Sequence, residues 1–386
     1  MRSAEVVIIG AGVVGASVAY HLASAGCRDV LVVERQAEAG RGSTGRATGG
    51  FRAQFSTEVN VRLSLLAREK LTRFADELGV SSGYEPRGYL FLARDETQLE
   101  ALRAAQLVQQ ACGLREARMV EPEEARRLNP FAHADELAGA AFCPTDGFIR
   151  PLQILKGYRD GAARLGVTFE YDSPVEGFRT RGGCLESVST KRGEVAAGCV
   201  VNAAGAWAAE LARLAGAEIP VAPLRRQVAV TQPFDLLPAE MPMTIFTEDG
   251  FHLRARDGRV LLLWPDAPDA RDPFDDATTD AWISEVVRRA HERVPVLKSA
   301  SIDRQACWAG LYEMTPDRHA LLGPSNELEN FYLANGSSGH GVMHAPALGQ
   351  LLAEIILTGR AHTLDTHALR PSRFREGQPN AACEFL

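Results

Sequence analysis

Gly10-Ala11-Gly12-Val13-Val14-Gly15 is the stretch that decides the fold of this chain. It is a GxGxxG sequence between a short β-branched apolar run at residues 6–9 and a predicted helix at residues 13–24. The first glycine permits a tight turn, the second lets the backbone approach a pyrophosphate, and the third lets helix and strand pack closely. A second buried strand is predicted at 30–33 and ends at Glu34, whose carboxylate can accept hydrogen bonds from ribose hydroxyls. The pattern predicts a βαβ unit that binds a dinucleotide; the alternative is a fortuitous glycine turn.

Two further glycine-rich segments favour FAD over NAD, which the first motif alone does not separate. Residues 41–52 combine hydroxyls, arginines and four glycines, which suits a loop laid along an extended polar cofactor. The alternative for that segment is a mobile surface loop. Residues 336–342 precede a helix predicted at 345–358 and offer a second set of backbone donors at a positive helix end. A second GxGxxG in a strand–helix context, expected of a separate NAD(P)H domain, does not occur.

Composition narrows the class of protein. The 386 residues exceed one typical domain, and the net charge of -7 argues against a nucleic-acid partner held by phosphate contacts. No apolar run long enough for a membrane span and no signal peptide are expected, so the predicted location is cytoplasmic. The seven cysteines are scattered without CxxC spacing, which predicts reduced thiols and no metal site.

Short strand-forming runs dominate the second half of the chain. Strands are predicted at 227–231, 243–246, 251–254 and 260–264, and they suggest an antiparallel sheet interrupted by a helix at 278–294. Earlier, one amphipathic helix is predicted over 58–80, a second over 96–112, and a third from Pro122. We expect the chain to cross several times between two domains.

Six segments in this order resemble the D-amino-acid oxidase superfamily of flavoproteins, in its sarcosine oxidase and glycine oxidase branch. They are GAGVVG (10–15), GSTGRATGGFR (42–52), DGFIRP (146–151), VVNAAGAW (200–207), WAGLYEMTPD (308–317) and SSGHGV (337–342). The likeness covers nearly the whole chain and is strongest to β subunits of heteromeric sarcosine oxidases and to dye-linked proline dehydrogenases. It implies an α/β plus antiparallel β fold, in which an FAD-binding Rossmann-type domain (1–85, 141–220 and 321–386) is interleaved with an antiparallel-sheet substrate domain (86–140 and 221–320).

The motif and the resemblance together assign a set of residues to FAD. They are Gly10, Gly12, Val13, Val14, Gly15, Glu34, Arg35, Ser43, Thr44, Arg46, Ala47, Thr48, Gly49, Gly50, Val175, Ala204, Gly205, Trp207, Gly310, Ser338, Gly339, His340, Gly341, Val342 and Met343.

Departures from the family pattern bear on the chemistry. Met343 stands where monomeric sarcosine oxidases carry a lysine, Gly310 where they attach flavin through a cysteine, and Tyr312 where glycine oxidase carries an arginine. No lysine occurs between Lys191 and Lys298, and no histidine for covalent FMN lies near 146–151. We therefore expect non-covalent FAD, and the absent lysines favour an electron acceptor other than oxygen.

The resemblance implies oxidation of the C–N bond of a small amine or amino acid of the sarcosine, proline or glycine type, by hydride transfer to flavin N5. Arg52 is expected to bind the substrate carboxylate, because its planar fork suits a bidentate partner; the alternative is a phosphate contact or a surface ion pair. His252 matches a site-lining aromatic of relatives, and the alternative is a packed strand residue. Further pocket residues are expected at Tyr312, His340, Met343 and His344, with His340 near the charge on flavin N1 and Met343 as an apolar floor.

Two other functions compete with this interpretation. One is a flavin-carrying subunit or an assembly factor that acts with a partner chain, and the absence of the family's lysines and covalent attachments motivates it. The other is a flavin hydroxylase that NADPH reduces. The expected partners are the amine substrate, an electron acceptor (oxygen or another), and either a partner subunit or a second copy of the chain.

Overall fold

A computed structural model describes residues 2–133, 136–265 and 273–381. Within these ranges the helices are α1 (Val13–Ser24), α2 (Ser43–Arg46), α3 (Glu58–Thr72), α4 (Phe74–Leu78), α5 (Glu96–Ala111), α6 (Pro122–Leu128), α7 (Pro151–Arg164), α8 (Ala208–Ala215), α9 (Asp280–Arg293) and α10 (Gly341–Thr358). Short 3₁₀ turns lie at Gly205–Trp207, Pro295–Ser299, His367–Leu369 and Pro371–Arg373.

The strands of the described residues form two large sheets and one small one. They are β1 (Arg2–Ile9), β2 (Val30–Val33), β3 (Gly50–Phe51), β4 (Tyr89–Ala93), β5 (Arg118–Val120), β6 (Gly139–Cys143), β7 (Gly147–Phe148), β8 (Thr168–Glu170), β9 (Val175–Arg181), β10 (Cys184–Thr190), β11 (Gly193–Asn202), β12 (Ala222–Val230), β13 (Met243–Phe246), β14 (His252–Arg256), β15 (Arg259–Leu263), β16 (Trp308–Met314), β17 (Leu321–Pro324) and β18 (Phe331–Asn335).

The first large sheet carries the βαβ unit that the sequence predicts. Its order is β17-β18-β11-β1-β2-β8, and β1 pairs in parallel with both β2 and β11. Every residue of β2 is buried, as a strand covered on both faces requires. Strands β9 and β10 extend this sheet as an antiparallel pair beside β11. The helix α1 has the predicted bounds, so this part of the prediction is confirmed.

The second large sheet has the order β16-β12-β15-β14-β13-β4-β6-β5. Its pairings are antiparallel except between β13 and β4, which run parallel. The parallel pair arises because β4 comes from much earlier in the chain than its neighbour. The predicted class, α/β with an antiparallel sheet, is confirmed with that one exception. The exact domain boundaries stay a prediction, and β6 spans the one proposed at 140.

Two predicted helix boundaries are wrong. The helix expected over 58–80 is interrupted at Arg73. The short α4 that follows places Phe74 and Leu78 in the core, and Gly79, directly after it, has a φ of +72°. The C-terminal helix begins at Gly341 and not at 345, because the His344 N–H already donates to the His340 carbonyl oxygen at 3.0 Å. Because of this earlier start, the N-terminus of the helix directly follows the turn that contains Gly336 and Gly339.

Helix α10 is a central element of the core. It lies against α1 and α3, and Gly349 contacts Ser17 so closely that a Cβ would lie 2.1 Å from the Ser17 hydroxyl. Among the described helices, α10 alone has the length and apolar composition to cross a membrane. Because 61% of it is buried inside the protein, these features are those of a core helix.

Candidate active site

A cavity of about 1270 Å³ lies at the carboxyl ends of β1, β2 and β11, and the second sheet closes its other side. In α/β sheets this edge is where ligands bind. Small-molecule pockets usually measure about 300–1,000 Å³. The volume therefore suits an extended cofactor together with a small substrate.

The GxGxxG turn forms one end of this cavity. Gly10 has a φ of +110°, and a Cβ there would lie 2.4 Å from the Ala203 carbonyl oxygen. Gly15 does not line the cavity but lies beneath the turn, where a Cβ would come within 2.0 Å of the Gly10 carbonyl oxygen. The Glu34 carboxylate accepts hydrogen bonds from the Ala11 N–H at 2.9 Å and the Gln36 N–H at 3.0 Å. The turn and the acidic residue are thus held in one arrangement, as a bound dinucleotide requires.

The glycine-rich loop after β2 is fixed along the cavity and bound to the second sheet. The Ser43 hydroxyl donates to the Leu311 carbonyl oxygen at 2.6 Å, and the Arg46 guanidinium donates to the Ala309 carbonyl oxygen at 2.7 Å. The Arg46 carbonyl oxygen accepts from the indole of Trp308 at 2.7 Å. These contacts give the loop a defined path between the two sheets.

Arg254, on β14, holds the next part of this loop, and the sequence analysis did not identify it. Its guanidinium donates to the carbonyl oxygens of Thr48 at 2.7 Å and Gly49 at 3.0 Å, and it stacks 3.6 Å above the Phe148 ring. Burial lowers the pKa of Arg254 to about 10, so the side chain stays charged near neutral pH. A side chain of the second sheet therefore fixes the backbone of the cofactor loop.

The N-terminus of α10 faces the middle of the cavity. Ser338 and Gly339 have φ values of +48° and +93°, and the first residues of the helix, Gly341 to Met343, line the cavity with N–H groups that have no partner within the helix. A Cβ on Gly339 would lie 2.5 Å from the Tyr312 ring. Beside the turn, the Glu313 carboxylate accepts from the Ser337 N–H at 3.2 Å, and burial raises the pKa of Glu313 to about 7. The helix end offers donors to a negatively charged or electron-rich group.

Arg52 lies in the wall of the cavity and is only 4% exposed. Its guanidinium donates from Nη2 to His340 Nε2 at 3.2 Å and lies 4.4 Å from the centre of the Phe55 ring. Its backbone N–H donates to the Met343 sulfur at 3.5 Å. A buried guanidinium on a cavity wall is suited to a carboxylate.

The buried carboxylate of Asp146 anchors the segment after Arg52. It accepts from the Ala53 N–H at 2.7 Å and from the Gln54 side-chain amide at 3.2 Å. Burial raises the pKa of Asp146 to about 6 although these bonds favour the charged form. Asp146 opens the DGFIRP segment, so the structure gives this segment a role: it positions the backbone that carries Arg52.

His252 and two tyrosines complete this end of the cavity. The His252 Nδ1 lies 2.8 Å from the Gly250 carbonyl oxygen, so Nδ1 carries the proton and Nε2 is an acceptor. Burial, reinforced by Arg52 and Arg226, lowers the pKa of His252 to about 4. Tyr312 lines the cavity and is 37% exposed; Tyr89 also lines it, and its hydroxyl lies 2.0 Å from the position of a Cβ on Gly50.

The structure places nearly all of the predicted site residues on this one cavity. The exceptions are Gly15, beneath the turn, and His344, which is 2% exposed and hydrogen-bonded to Ser64 at 2.9 Å. The His340 imidazole is hydrogen-bonded to the Arg52 guanidinium. Sequence reasoning missed several residues at the site, among them Tyr89, Asp146, Met243, Arg254 and Glu313. Only Asp146 and Glu313 lie in recognised segments, and no local pattern distinguishes the others from core residues.

Cysteines are absent from the cavity lining among the described residues. Cys307 is half-buried and donates to the Asp303 carbonyl oxygen at 3.3 Å, away from the cavity. Gly310 does line the cavity, where a Cβ would lie 3.0 Å from the Arg46 Cβ. Within the described ranges, no cluster of His, Cys, Asp and Glu side chains could hold a metal ion.

Two named proteins from other organisms are similar in sequence to this chain over nearly its whole length. The mitochondrial dimethylglycine dehydrogenase of Rattus norvegicus is 32% identical over 393 residues, which cover 96% of this chain and 45% of that protein. The chain thus spans less than half the length of that relative. FAD-dependent oxidoreductase domain-containing protein 1 of Bos taurus is 30% identical, covering 97% of this chain and 85% of that protein.

A solved structure and a family profile agree with these relatives. The crystal structure of L-proline dehydrogenase from P. horikoshii has a TM-score of 0.90 and 32% identity, over 98% of this chain and 100% of that one. Residues 5–355 match the family described as FAD dependent oxidoreductase, or DAO. The glycine turn, the anchored loop and the end of α10 fit the FAD that this family uses. The chain therefore belongs to the DAO family of FAD-dependent oxidoreductases.

Proposed function

We propose that this protein oxidises the C–N bond of a small amino acid with a secondary or tertiary amine, of the sarcosine, dimethylglycine or proline type. The observation that carries the proposal is the position of Arg52, a buried guanidinium on the same cavity wall as the end of α10. Similarity to dimethylglycine dehydrogenase and L-proline dehydrogenase supports an amino acid with a substituted nitrogen.

FAD, when bound, supplies the ring that accepts a hydride from the carbon next to nitrogen. Residues 10–15, the loop at 43–50 and the end of α10 would hold it, and non-covalent binding is supported because no cysteine lines the cavity in the part of the chain that the structure describes. Arg52 binds the substrate carboxylate in a bidentate manner and so fixes the carbon that reacts. Tyr89, Met243 and Tyr312 enclose that end of the cavity and exclude water from it.

His252 orients the amine. Because Nδ1 is bonded to the Gly250 carbonyl oxygen, the nitrogen that remains for a molecule in the cavity is Nε2, which accepts a hydrogen bond. A secondary amine that donates its N–H to Nε2 has its lone pair free to assist departure of the hydride. The neighbouring positive charge of Arg52 favours the unprotonated amine that this step needs.

The test is anaerobic reduction of the bound flavin by a panel of sarcosine, dimethylglycine, proline and glycine. Loss of the visible flavin absorbance with at least one of the N-substituted amino acids is the expected result. Methylamine and pyrrolidine, which lack the carboxylate, should reduce the flavin far more slowly. If none of the three N-substituted amino acids bleaches the flavin, the proposal is refuted, whether or not glycine does.

The absence of any lysine between Lys191 and Lys298, together with Met343 in place of the other lysine of related oxidases, supports an electron acceptor other than oxygen. Comparison of oxygen uptake with reduction of an artificial dye, at one substrate concentration, distinguishes an oxidase from a dehydrogenase. A partner chain that receives the electrons stays a prediction, which co-purification from the native host would test. The cytoplasmic location likewise stays a prediction from the sequence.

A further inference from the structure

We infer that His340 is a positioning residue for Arg52: its neutral imidazole orients the guanidinium that receives the substrate carboxylate. The inference rests on the proposed function and assigns to His340 a task other than contact with the flavin. It follows from one hydrogen bond, a shared aromatic ring and the place of His340 at the end of α10.

The hydrogen bond fixes the protonation state of the imidazole. Arg52 Nη2 lies 3.2 Å from His340 Nε2, and a guanidinium can only donate. His340 Nε2 must therefore be the acceptor, which requires a neutral ring with its proton on Nδ1. The pKa of His340 lies well below its ordinary value because of burial and the positive charge of Arg52, in agreement with this state.

Phe55 supports both partners. The Arg52 guanidinium lies 4.4 Å from the centre of its ring, and the His340 ring meets it edge to face at 4.8 Å and 87°. A guanidinium bound on one side by an acceptor nitrogen and on another by an aromatic ring has few orientations left. His340 is also the last residue before α10, so the carboxylate-binding group and the helix end that faces the cofactor share one support.

Other titratable groups near this pair do not replace the acceptor. His344 Nε2 is hydrogen-bonded to the Ser64 hydroxyl at 2.9 Å. His319 Nδ1 donates to the Asp317 carbonyl oxygen at 2.6 Å. Asp146 is occupied by the backbone and side-chain N–H groups of residues 53 and 54. The His340 imidazole, by contrast, is hydrogen-bonded to the Arg52 guanidinium.

The test measures binding of acetate to the oxidised FAD-loaded enzyme through the change in the flavin visible spectrum. Acetamide has the same shape as acetate without the charge, so its affinity measures the part of binding that does not depend on the guanidinium. His340→Leu should weaken acetate binding about 10-fold, and Arg52→Gln about 30-fold, as expected for loss of a hydrogen bond to a charged group. Acetamide binding should change little in either variant.

Rescue and a matched control separate positioning from general disruption. His340→Gln can place a carbonyl oxygen near the former Nε2 and should keep acetate affinity within about threefold, whereas His340→Asn, one atom shorter, should not. His344→Gln removes a neighbouring buried imidazole that does not contact Arg52 and should leave the affinity within about twofold of the wild type. These variants keep the test valid if His340→Leu fails to fold.

The double variant decides the route of the effect. If His340 acts through Arg52, then His340→Leu causes no further loss in an Arg52→Gln background. An equal loss in both backgrounds would overturn the inference, as would wild-type acetate binding by both His340→Leu and His340→Asn. Unchanged acetate binding in Arg52→Gln itself would instead refute the assignment of Arg52 in the proposed function.

Discussion

Individual residues at this site are defined by which of their atoms the protein leaves available. His252 illustrates the point, because Gly250 occupies Nδ1 and burial keeps the ring neutral with a pKa of about 4. Glu34 illustrates the opposite case, since backbone N–H groups already bind both of its oxygens and hold the carboxylate in place. Function at this scale depends on the remaining lone pairs and N–H groups.

Replacement of His252 should affect secondary amines more than tertiary ones. His252→Leu removes the acceptor for the amine N–H, and we expect kcat/KM for sarcosine to fall about 10–100-fold, the effect of one lost hydrogen bond to a partly charged group. Dimethylglycine, whose neutral amine has no N–H, should lose less than about fivefold. Because the pKa of His252 is already near 4, the change should not move the acid limb of the pH profile above about pH 5.

His252→Gln is the control for this prediction, because a Gln side chain supplies an acceptor oxygen without an imidazole. It should retain most of the selectivity for sarcosine over dimethylglycine. Steady-state kinetics with both substrates gives the answer. Equal losses for the two substrates in His252→Leu would show that the residue serves packing and does not orient the amine.

Elements of this fold meet at glycines where no side chain fits. Gly15 allows α1 to follow β1 so closely that the Gly10 carbonyl oxygen lies 2.0 Å from the position of a Cβ. Gly349 allows α10 to approach α1 so closely that the Ser17 hydroxyl lies 2.1 Å from the position of a Cβ. With these close approaches, the N-termini of α1 and α10 both lie on the same cavity. The GxGxxG motif reveals the first of them, whereas Gly349 has no sequence signature.

Gly15→Ala should therefore weaken FAD binding strongly. The added Cβ would lie 2.0 Å from the Gly10 carbonyl oxygen, so the turn must shift away from the cofactor. We expect the FAD dissociation constant to rise at least about 100-fold, the equivalent of roughly 2.7 kcal/mol. Fluorescence titration of apoprotein with FAD measures it.

Gly177→Ala is the matched control, because a Cβ there meets nothing within 4 Å and the residue does not have a positive φ. FAD affinity in this variant should equal that of the wild type. If Gly15→Ala binds FAD with wild-type affinity, the turn tolerates displacement, and the role assigned to its glycines is wrong.

The sequence predicts elements and motifs more reliably than contacts between distant segments. The βαβ unit, Glu34 and the end of α10 could be recognised because each depends on local spacing. Arg254 could not be recognised, since its partners Thr48 and Gly49 lie some 200 positions away and nothing near β14 indicates them. The parallel pairing of β13 with β4 was missed for the same reason. Three other strands of the second sheet, β5, β6 and β12, lie between these two along the chain.

At the scale of the whole molecule, the two large sheets share the cofactor cavity and are joined through charged and polar groups at its walls. Arg254 connects β14 to the cofactor loop, Ser43 and Arg46 connect that loop to β16, and Asp146 holds the segment of Arg52. Two of the carboxylates in this region, Asp146 and Glu313, have raised pKa values because they are buried. The free energy of unfolding should consequently depend on pH through these active-site carboxylates.

Glu313→Gln tests this coupling. The pKa of Glu313 rises from an ordinary value of 4.5 to about 7 on folding, so the folded protein binds a proton that the unfolded chain has lost. The stability that this group contributes is fully present below about pH 4.5 and is lost as pH rises through about 7. At 1.36 kcal/mol per pKa unit, the loss between pH 4.5 and 8 is on the order of 3 kcal/mol in wild type and absent in the variant.

Comparison of the two proteins isolates this group, because the buried histidines with lowered pKa values are common to both. His252 and His344 make each protein less stable as pH falls below about 6.5, and that effect cancels in the difference. Denaturant unfolding of FAD-loaded wild type and Glu313→Gln at pH 5, 6, 7 and 8 gives the difference directly. We expect the variant to gain stability relative to the wild type across this range, with most of the change before pH 7.5. A difference that does not vary with pH would show that Glu313 is ionised throughout in the folded protein.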